Sequence, residues 1–283
     1  MPNLYTISTM GETDGELLSH GEKFSIIYHN LFDYPMSFSD MIRWRANDMA
    51  PYYAEIKNIE NKNGYFFVQG NEGIVYKKML KKRISAKKME IAIRVAKILS
   101  FIPSVKMIGV TGSLAMENAS DESDIDFIII TKSGLLWTTR LFVYALIHIF
   151  SIKTRIPSDK REKDRLCLNM WLDENDLSWK KQSFYTAHEI AQIIPLVNKD
   201  GTYEKFLRQN RWVLKFWPSA VKIENFKLAR INREESTNLF ENFAYKLQLN
   251  HMKPKITHET ITRTRALFHP QDWGKIVASR LSS

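Results

Sequence analysis

The chain has 283 residues, more than one ordinary domain of roughly 100 to 200 residues, so two or three packed units are expected. Its 44% hydrophobic, 12% aromatic and 25% charged residues can build well-packed cores, which excludes wholesale disorder. A net charge of +10 suits polyanionic partners such as RNA, DNA or nucleotides. The lone cysteine, Cys167, excludes an intramolecular disulfide and a cysteine-rich zinc site, and with no secretion signal at the start a reducing cytoplasm is expected.

Residues 1–20 are polar and read as a flexible tail. From Glu22 to Leu31 the apolar residues Phe24, Ile26, Ile27 and Leu31 recur at helical spacing until Asp33, Tyr34 and Pro35 break it. Ser37 is an N-cap for a second short helix through Met41, Ile42 and Trp44, and Ala50 to Ile59 reads as a third. Asn61 to Gly64 forms a turn into a strand, Tyr65 to Val68. Three short helices and a ribbon are the order of a winged helix. The segment Pro51 to Lys57 holds one lysine, however, so a packing module without DNA contact is the weightier version.

A long helix is expected from Tyr76 to Phe101. It carries Lys77, Lys78, Lys81, Lys82, Arg83, Lys87, Lys88, Arg94 and Lys97 against a single acid, Glu90, which reads either as a solvated face or as a nucleic-acid stripe. Val105 to Thr111 and Asp126 to Thr131 are apolar strands buried on both faces, and Leu166 to Leu172 alternates as a third strand. The apolar run Leu135 to Ile152 between them contains Arg140 and His148, which favours a buried core helix over a membrane span. From Phe184 onward, Ser183 to Ile193, Gly201 to Lys215 and Glu234 to Met252 carry helical spacing separated by prolines.

The chemistry concentrates between Gly109 and Ile130. Gly112 and Ser113 follow an apolar strand, where a glycine lets backbone amides approach phosphate oxygens and the serine adds a hydroxyl. Asp124 and Asp126 stand two apart at the mouth of the next strand, so their side chains share a face, as a common metal site requires. Mg²⁺ is usually held by one or two carboxylates plus substrate phosphates, so a carboxylate pair beside a phosphate seat suggests phosphoryl or nucleotidyl transfer.

This order, Gly-Ser followed by Asp-x-Asp and an apolar strand, resembles the DNA polymerase β-like nucleotidyltransferase superfamily over about Val105 to Thr131. The resemblance implies that Gly112 and Ser113 hold a nucleoside triphosphate and that Asp124 and Asp126 bind Mg²⁺ or Mn²⁺. Two departures stand out: Glu117 occupies the place where minimal members often have a second glycine, and the expected third-acid strand offers Asn169 at its centre and Asp173 only at its end. Asn169 can ligate a metal through its carbonyl oxygen but is no general base, so Asp173 or Asp164 would have to supply the acid.

Arg140 is a further candidate for the phosphates, or else a partner for an internal carboxylate. Lys160, Arg161, Lys163 and Arg165 form a basic approach or a solvated loop. His188 and Glu189 sit on a helix beside Tyr185 with no role assigned, and His148, His251, His258 and His269 are too scattered for zinc.

The expected fold is α+β: a tail at 1–20, a winged-helix-like module at 21–75, a nucleotidyltransferase core with a mixed sheet at 76–182, and a helical C-terminal unit at 183–283. Two functions are carried forward. One is a Mg²⁺-dependent nucleotidyltransferase acting on a hydroxyl of RNA, protein or a small molecule. The other is an inactive relative that binds nucleic acid or protein.

Overall fold

The computed structural model describes residues 18–48, 50–51, 58–155, 162–223, 239–253, 259–268 and 272–282. At its centre is a six-stranded mixed sheet of β4 (Val105–Val110), β5 (Ile125–Thr131), β6 (Leu166–Asp173), β7 (Ile194–Asn198), β8 (Thr260–Ile261) and β9 (Arg265–Leu267), in the order β7-β4-β5-β6-β9-β8. Only β5 and β6 run parallel among these pairs, joined by a crossover through α5 (Leu136–Ile149). The two apolar runs expected as neighbouring strands do pair, Ile108 opposite Ile129.

β5 is apolar throughout because it is covered on both sides. Ile128 and Ile130 enter one core, while Phe127 and Ile129 enter the other, all four fully buried. The first core is closed by α1 (His20–Asn30), α2 (Phe38–Arg43), α6 (Phe184–Ala191), α7 (Thr202–Gln209), a 3₁₀ turn (Arg211–Lys215) and α9 (Trp273–Ser282). The second takes the C-terminal half of α3 (Gly73–Leu99), the short α4 (Gly112–Ala115), α5 and α8 (Leu239–Met252).

The second helix starts at its expected cap, Ser37, whereas α1 begins at His20, capped by Ser19 from within the stretch expected as tail. Ser19 with Glu22, and Ser37 with Asp40, each form a reciprocal capping box. A three-stranded antiparallel sheet follows, in which β3 (Tyr65–Val68) lies between β1 (Met36–Ser37) and β2 (Ile59–Lys62). The expected third helix falls mostly within residues 52–57, outside the described residues, and Ile59 already belongs to β2. This N-terminal part shares the first core with the central sheet. His29 anchors that union: its Nδ1 donates to the Ser25 carbonyl at 2.8 Å, so in the neutral ring Nε2 is the acceptor and His188 Nε2 donates across 3.1 Å. Burial holds both imidazoles below their ordinary range, His29 at about 4. His188 stacks on Trp44 at 4.2 Å, so its position in the core is structural.

The segment from 183 onward, expected from its spacing to be a helical unit, also supplies strands to the central sheet. β7 pairs with β4, and the β8–β9 hairpin pairs with β6. Two- and three-residue strands carry too few residues for a period. Pro195 is tolerated because β7 is an edge strand of the sheet, where a missing N–H costs no ladder bond. Among the described residues no helix is long and apolar enough to cross a membrane, in line with a core role for α5.

The basic helix α3 divides in two ways. Lys77, Lys82, Arg83, Lys87, Arg94 and Lys97 are exposed, whereas Lys78 and Lys88 are buried. The Lys78 ammonium sits 3.3 Å over the Tyr34 ring, and burial lowers its pKa to about 8. Lys88 Nζ donates to the carbonyls of Asp121 (3.0 Å) and Ser123 (2.8 Å) and to Asp164 Oδ1 (2.7 Å). It thereby fixes the loop that delivers Asp124. Replacing Lys88 by Met should therefore cost about 2 to 4 kcal/mol, because two carbonyls and a carboxylate lose a buried donor, while Lys87→Met should stay within about 0.5 kcal/mol. Urea unfolding of the two variants checks this, and equal midpoints would refute the clamp.

Candidate active site

The site lies where β4, β5 and β6 end side by side. β4 gives way to Thr111, whose amide donates to the Asp126 carbonyl at 3.0 Å, and the chain then turns through Gly112 at φ +63°. A Cβ on Gly112 would lie 2.8 Å from Asp126 Oδ2, so both the backbone conformation and the closeness of the carboxylate require glycine here. Ser113 follows, exposed at the start of α4. Glu117, where the resemblance implied a second glycine, adopts a left-handed φ of +52° that a glycine would hold without strain.

Asp124 and Asp126 flank Ile125 at the mouth of β5. Arg155 Nη1 donates to Asp124 Oδ2 at 3.1 Å, and the same guanidinium holds Glu162. Asp126 accepts from Asn169 Nδ2 at 2.8 Å and from the Cys167 thiol. Cys167 is the register partner of Asp126, and a β-bulge just beyond it keeps Asn169 in reach. Asp126 pairs with Cys167 and Ile128 with Met170, so β6 spends three residues where β5 spends two. The alternation of β6 therefore reverses: Leu166, Leu168 and Trp171 face the second core, Met170 and Leu172 the first. Cys167 and Asn169 are both left beside Asp126.

Ligand atoms of Asp124, Asp126 and Cys167 lie within 4.8 Å of one another. Burial, then the charge of Asp124, pushes the Asp126 carboxyl up to about 7. Burial and the two carboxylates raise the Cys167 thiol, so it is a neutral donor here. Asn169 Oδ1 is buried with no hydrogen-bond partner, a carbonyl oxygen left open next to the carboxylate pair.

The other expected participants lie elsewhere. Asp173 pairs with Thr131, five residues and roughly 16 Å along β5 from Asp126. It accepts from the amides of Gly134 (2.7 Å) and Asn175 (2.8 Å), which makes it a turn-forming acid. Asp164 is engaged by Lys88. Arg140 is on the opposite face of the sheet, buried among Trp137, Tyr144, Trp171 and Phe268 and bonded to Gln248 at 2.6 Å, so it reaches neither phosphates nor a carboxylate. Lys163 pairs with Asp121, Arg165 donates to the Thr154 carbonyl, and Lys160 and Arg161 fall outside the described residues.

Three contributors escaped the sequence: Arg155 and Cys167, described above, and Glu189. Glu189, on α6, lies on the same sheet face as Asp126, and burial followed by the charge of Asp126 lifts its carboxyl to about 8. No local pattern marks it, since its relation to Asp126 depends on the docking of α6 alone.

Residues 92–174 match a family model described as a nucleotidyltransferase domain, a span that runs from within α3 to the end of β6 and includes the whole carboxylate cluster except Glu189. A search of curated proteins returns no match to the chain.

The crowded acids set the pH response. Asp126, Glu189 and Asp173 (raised to about 6) bind protons more tightly folded than unfolded, so their stabilising effect is complete below about pH 4 and is lost as pH rises through about 6, 7 and 8. The histidines oppose this only below about 6.5, where the unfolded imidazoles take up protons that folded His29 and His188 refuse. Between about pH 6.5 and 8 the acids outweigh the one opposing group already described, Lys78, which begins to release its proton as pH approaches 8, and the melting temperature of the metal-free protein should fall with pH. Asp126→Asn should flatten the curve, and Mg²⁺ at pH 8 should restore stability to the wild type. A metal-free curve that rises over this window would contradict the assignment.

Proposed function

We propose that, through the nucleotidyltransferase domain at residues 92–174, the protein moves a nucleoside monophosphate from an NTP to a hydroxyl acceptor with Mg²⁺ or Mn²⁺ as cofactor. The observation that carries this reading is the carboxylate pair Asp124 and Asp126 seated against Gly112 at the ends of β4 and β5. The residues fit a divalent cation. Two carboxylates converge with, among the described residues, the Arg155 guanidinium to offset them, Asp126 resists ionisation until positive charge arrives, and the open Asn169 carbonyl oxygen points to a further oxygen ligand. Asp124 and Asp126 would hold the ion, with Asn169 completing the set. A cation bound there neutralises phosphate charge and stabilises the entering and leaving oxygens.

The chain's own groups supply position. Backbone amides at Gly112 and the Ser113 hydroxyl orient the phosphates. The acceptor oxygen forms a bond to the α-phosphorus as the bond to the bridging oxygen breaks, and pyrophosphate leaves with that electron pair. Arg155 is 43% exposed and can exchange Asp124 for a phosphate oxygen through its planar fork. Orientation and charge stabilisation dominate such transfers.

A second reading, an inactive fold that binds nucleic acid or protein, draws on one observation: the β6 positions facing the pair hold Cys167 and Asn169, neither of them a carboxylate. Nucleic acid would meet the exposed lysines and arginines between Lys77 and Lys97.

Incubation with each of four α-labelled NTPs, Mg²⁺ or Mn²⁺, and pooled cellular RNA, protein and metabolites should transfer label to one acceptor class. Asp124→Asn combined with Asp126→Asn should abolish transfer with the fold intact by circular dichroism, since removing two mutually repelling charges does not strain it. A double variant with wild-type turnover would move the chemistry elsewhere. For the second reading, Lys82→Gln with Arg83→Gln and Lys87→Gln should weaken RNA or DNA binding. The slope of log affinity against log salt should flatten by roughly 0.7 to 0.9 for each phosphate that the variant no longer neutralises, whereas an unchanged slope would leave α3 as a solvated face.

A further inference from the structure

Where the resemblance implied a third carboxylate, β6 offers a sulfur and an amide. Ligand atoms of Asp124, Asp126 and Cys167 lie within 4.8 Å of one another. A tetrahedral ion with bonds of about 2.0 to 2.3 Å holds such atoms roughly 3.5 Å apart, so side-chain movements of about 1 Å close the set. The backbone fixes where the three side chains start: Asp126 and Cys167 are register partners on neighbouring parallel strands, and Asp124 stands two residues before Asp126. Asn169 Oδ1 is a fourth donor beside them, buried with no hydrogen-bond partner, while its amide nitrogen donates to Asp126 Oδ1 at 2.8 Å.

This donor set is mixed in hardness. Mg²⁺ takes oxygen ligands in near-octahedral geometry and keeps several waters, so the thiol adds nothing for it and the two carboxylates alone would hold it. Sulfur together with carboxylate and carbonyl oxygens suits a borderline-soft ion such as Zn²⁺ or Co²⁺, which accepts four ligands and binds cysteine as thiolate. The coordinating thiol gives up its proton to solvent as the sulfur–metal bond forms. A cation already stands at this place: the Arg155 guanidinium donates to Asp124 Oδ2 at 3.1 Å and lies beside Cys167. Its side chain is 43% exposed, so it can give way to an ion.

We propose that Asp124, Asp126 and Cys167 form a site selective for a thiophilic divalent cation of the Zn²⁺ class over Mg²⁺, with the Cys167 sulfur as a ligand. The inference deepens the transfer reading given above, from which it takes the carboxylate pair as the seat of the ion. Three side-chain ligands leave room at a four-coordinate ion for one further oxygen, from Asn169 or from a nucleotide phosphate. The lack of an acid at the facing positions of β6 is then a change of donor, and the site is kept.

Cys167 is the chain's single cysteine, so thiolate-to-metal charge transfer reports on it alone. Co²⁺ is titrated into the reduced, metal-free wild type, Cys167→Ser and the Asp124→Asn/Asp126→Asn pair, followed by near-ultraviolet and visible absorption, with circular dichroism to check each fold. The wild type should develop an intense sulfur-to-cobalt band together with the visible bands of a four-coordinate ion. Zn²⁺ should abolish both by displacement, and a large molar excess of Mg²⁺ should leave them in place. Cys167→Ser should lose the sulfur band and bind Co²⁺ and Zn²⁺ at least about tenfold more weakly, the lower end of what losing even an outer-shell partner costs. The aspartate double variant should bind neither ion. An oxygen-only Co²⁺ spectrum in the wild type, equal affinity in Cys167→Ser, or displacement of Co²⁺ by Mg²⁺ would overturn the assignment. Should Cys167→Ser fail to fold, the wild-type spectrum and the Mg²⁺ competition decide. Label transfer from α-labelled NTPs with Mg²⁺, Mn²⁺, Zn²⁺ or Co²⁺ separates the two readings. Transfer with Mg²⁺ and no sulfur band keeps the transfer reading and overturns the sulfur ligand, whereas a sulfur band with no transfer under any ion keeps the ligand and overturns the transfer reading.

Discussion

The mutual repulsion of Asp124 and Asp126 is the constraint around which the centre of this protein is arranged. Two carboxylates flank one residue of a strand whose remainder is buried on both faces, and Arg155 is the guanidinium that partly offsets them. Their surroundings answer this in three ways. Gly112 gives up a side chain so that the backbone can pass against Asp126, the Cys167 thiol and the Asn169 amide donate hydrogen bonds to it, and its proton is held to about pH 7. Such a cluster is poised for positive charge and leaves one amide oxygen, that of Asn169, without a partner.

Holding these acids together requires rigidity from elements far apart in the chain. Lys88, from the middle of a 27-residue helix, ties down the loop before Asp124 through two carbonyls and Asp164. Cys167 pairs with Asp126 directly, and the bulge in β6 leaves Asn169 beside Asp126 where a regular register would set it opposite Ile128. Across the sheet, the neutral His29–His188 pair docks α6 against the N-terminal helices, and that docking sets where the adjacent Glu189 lies. A core contact between two histidines thus positions a carboxylate of the candidate site.

The expectations for Asp173, Asp164 and Arg140 failed for one shared reason. Each is a polar group of suitable chemistry at a suitable place in the chain, but each is consumed by local needs: amides of a turn, a buried lysine, and a glutamine among aromatic rings. Buried polar groups must be satisfied, and the nearest partner takes precedence over a distant site. Proximity in chain order to a motif is therefore weak evidence for membership in its site.

The sequence by itself determined what short-range physics writes into residue order. The capping Ser37, the double-faced apolar strands β4 and β5, the core helix α5, the glycine of the turn and the Asp-x-Asp pair were all legible, because each depends on a period, a cap or a spacing of a few residues. Tertiary structure alone decided the rest. It recruited the short strands β7, β8 and β9 from a stretch that read as helical, shifted the register of β6 by one residue, drew Arg155 onto Asp124 and placed Glu189 on the Asp126 face of the sheet, within reach of its charge. Those choices rest on pairing and packing between residues tens to hundreds of positions apart. Local spacing carries no record of such contacts, since their energy exists only once the sheet and its covering helices have come together.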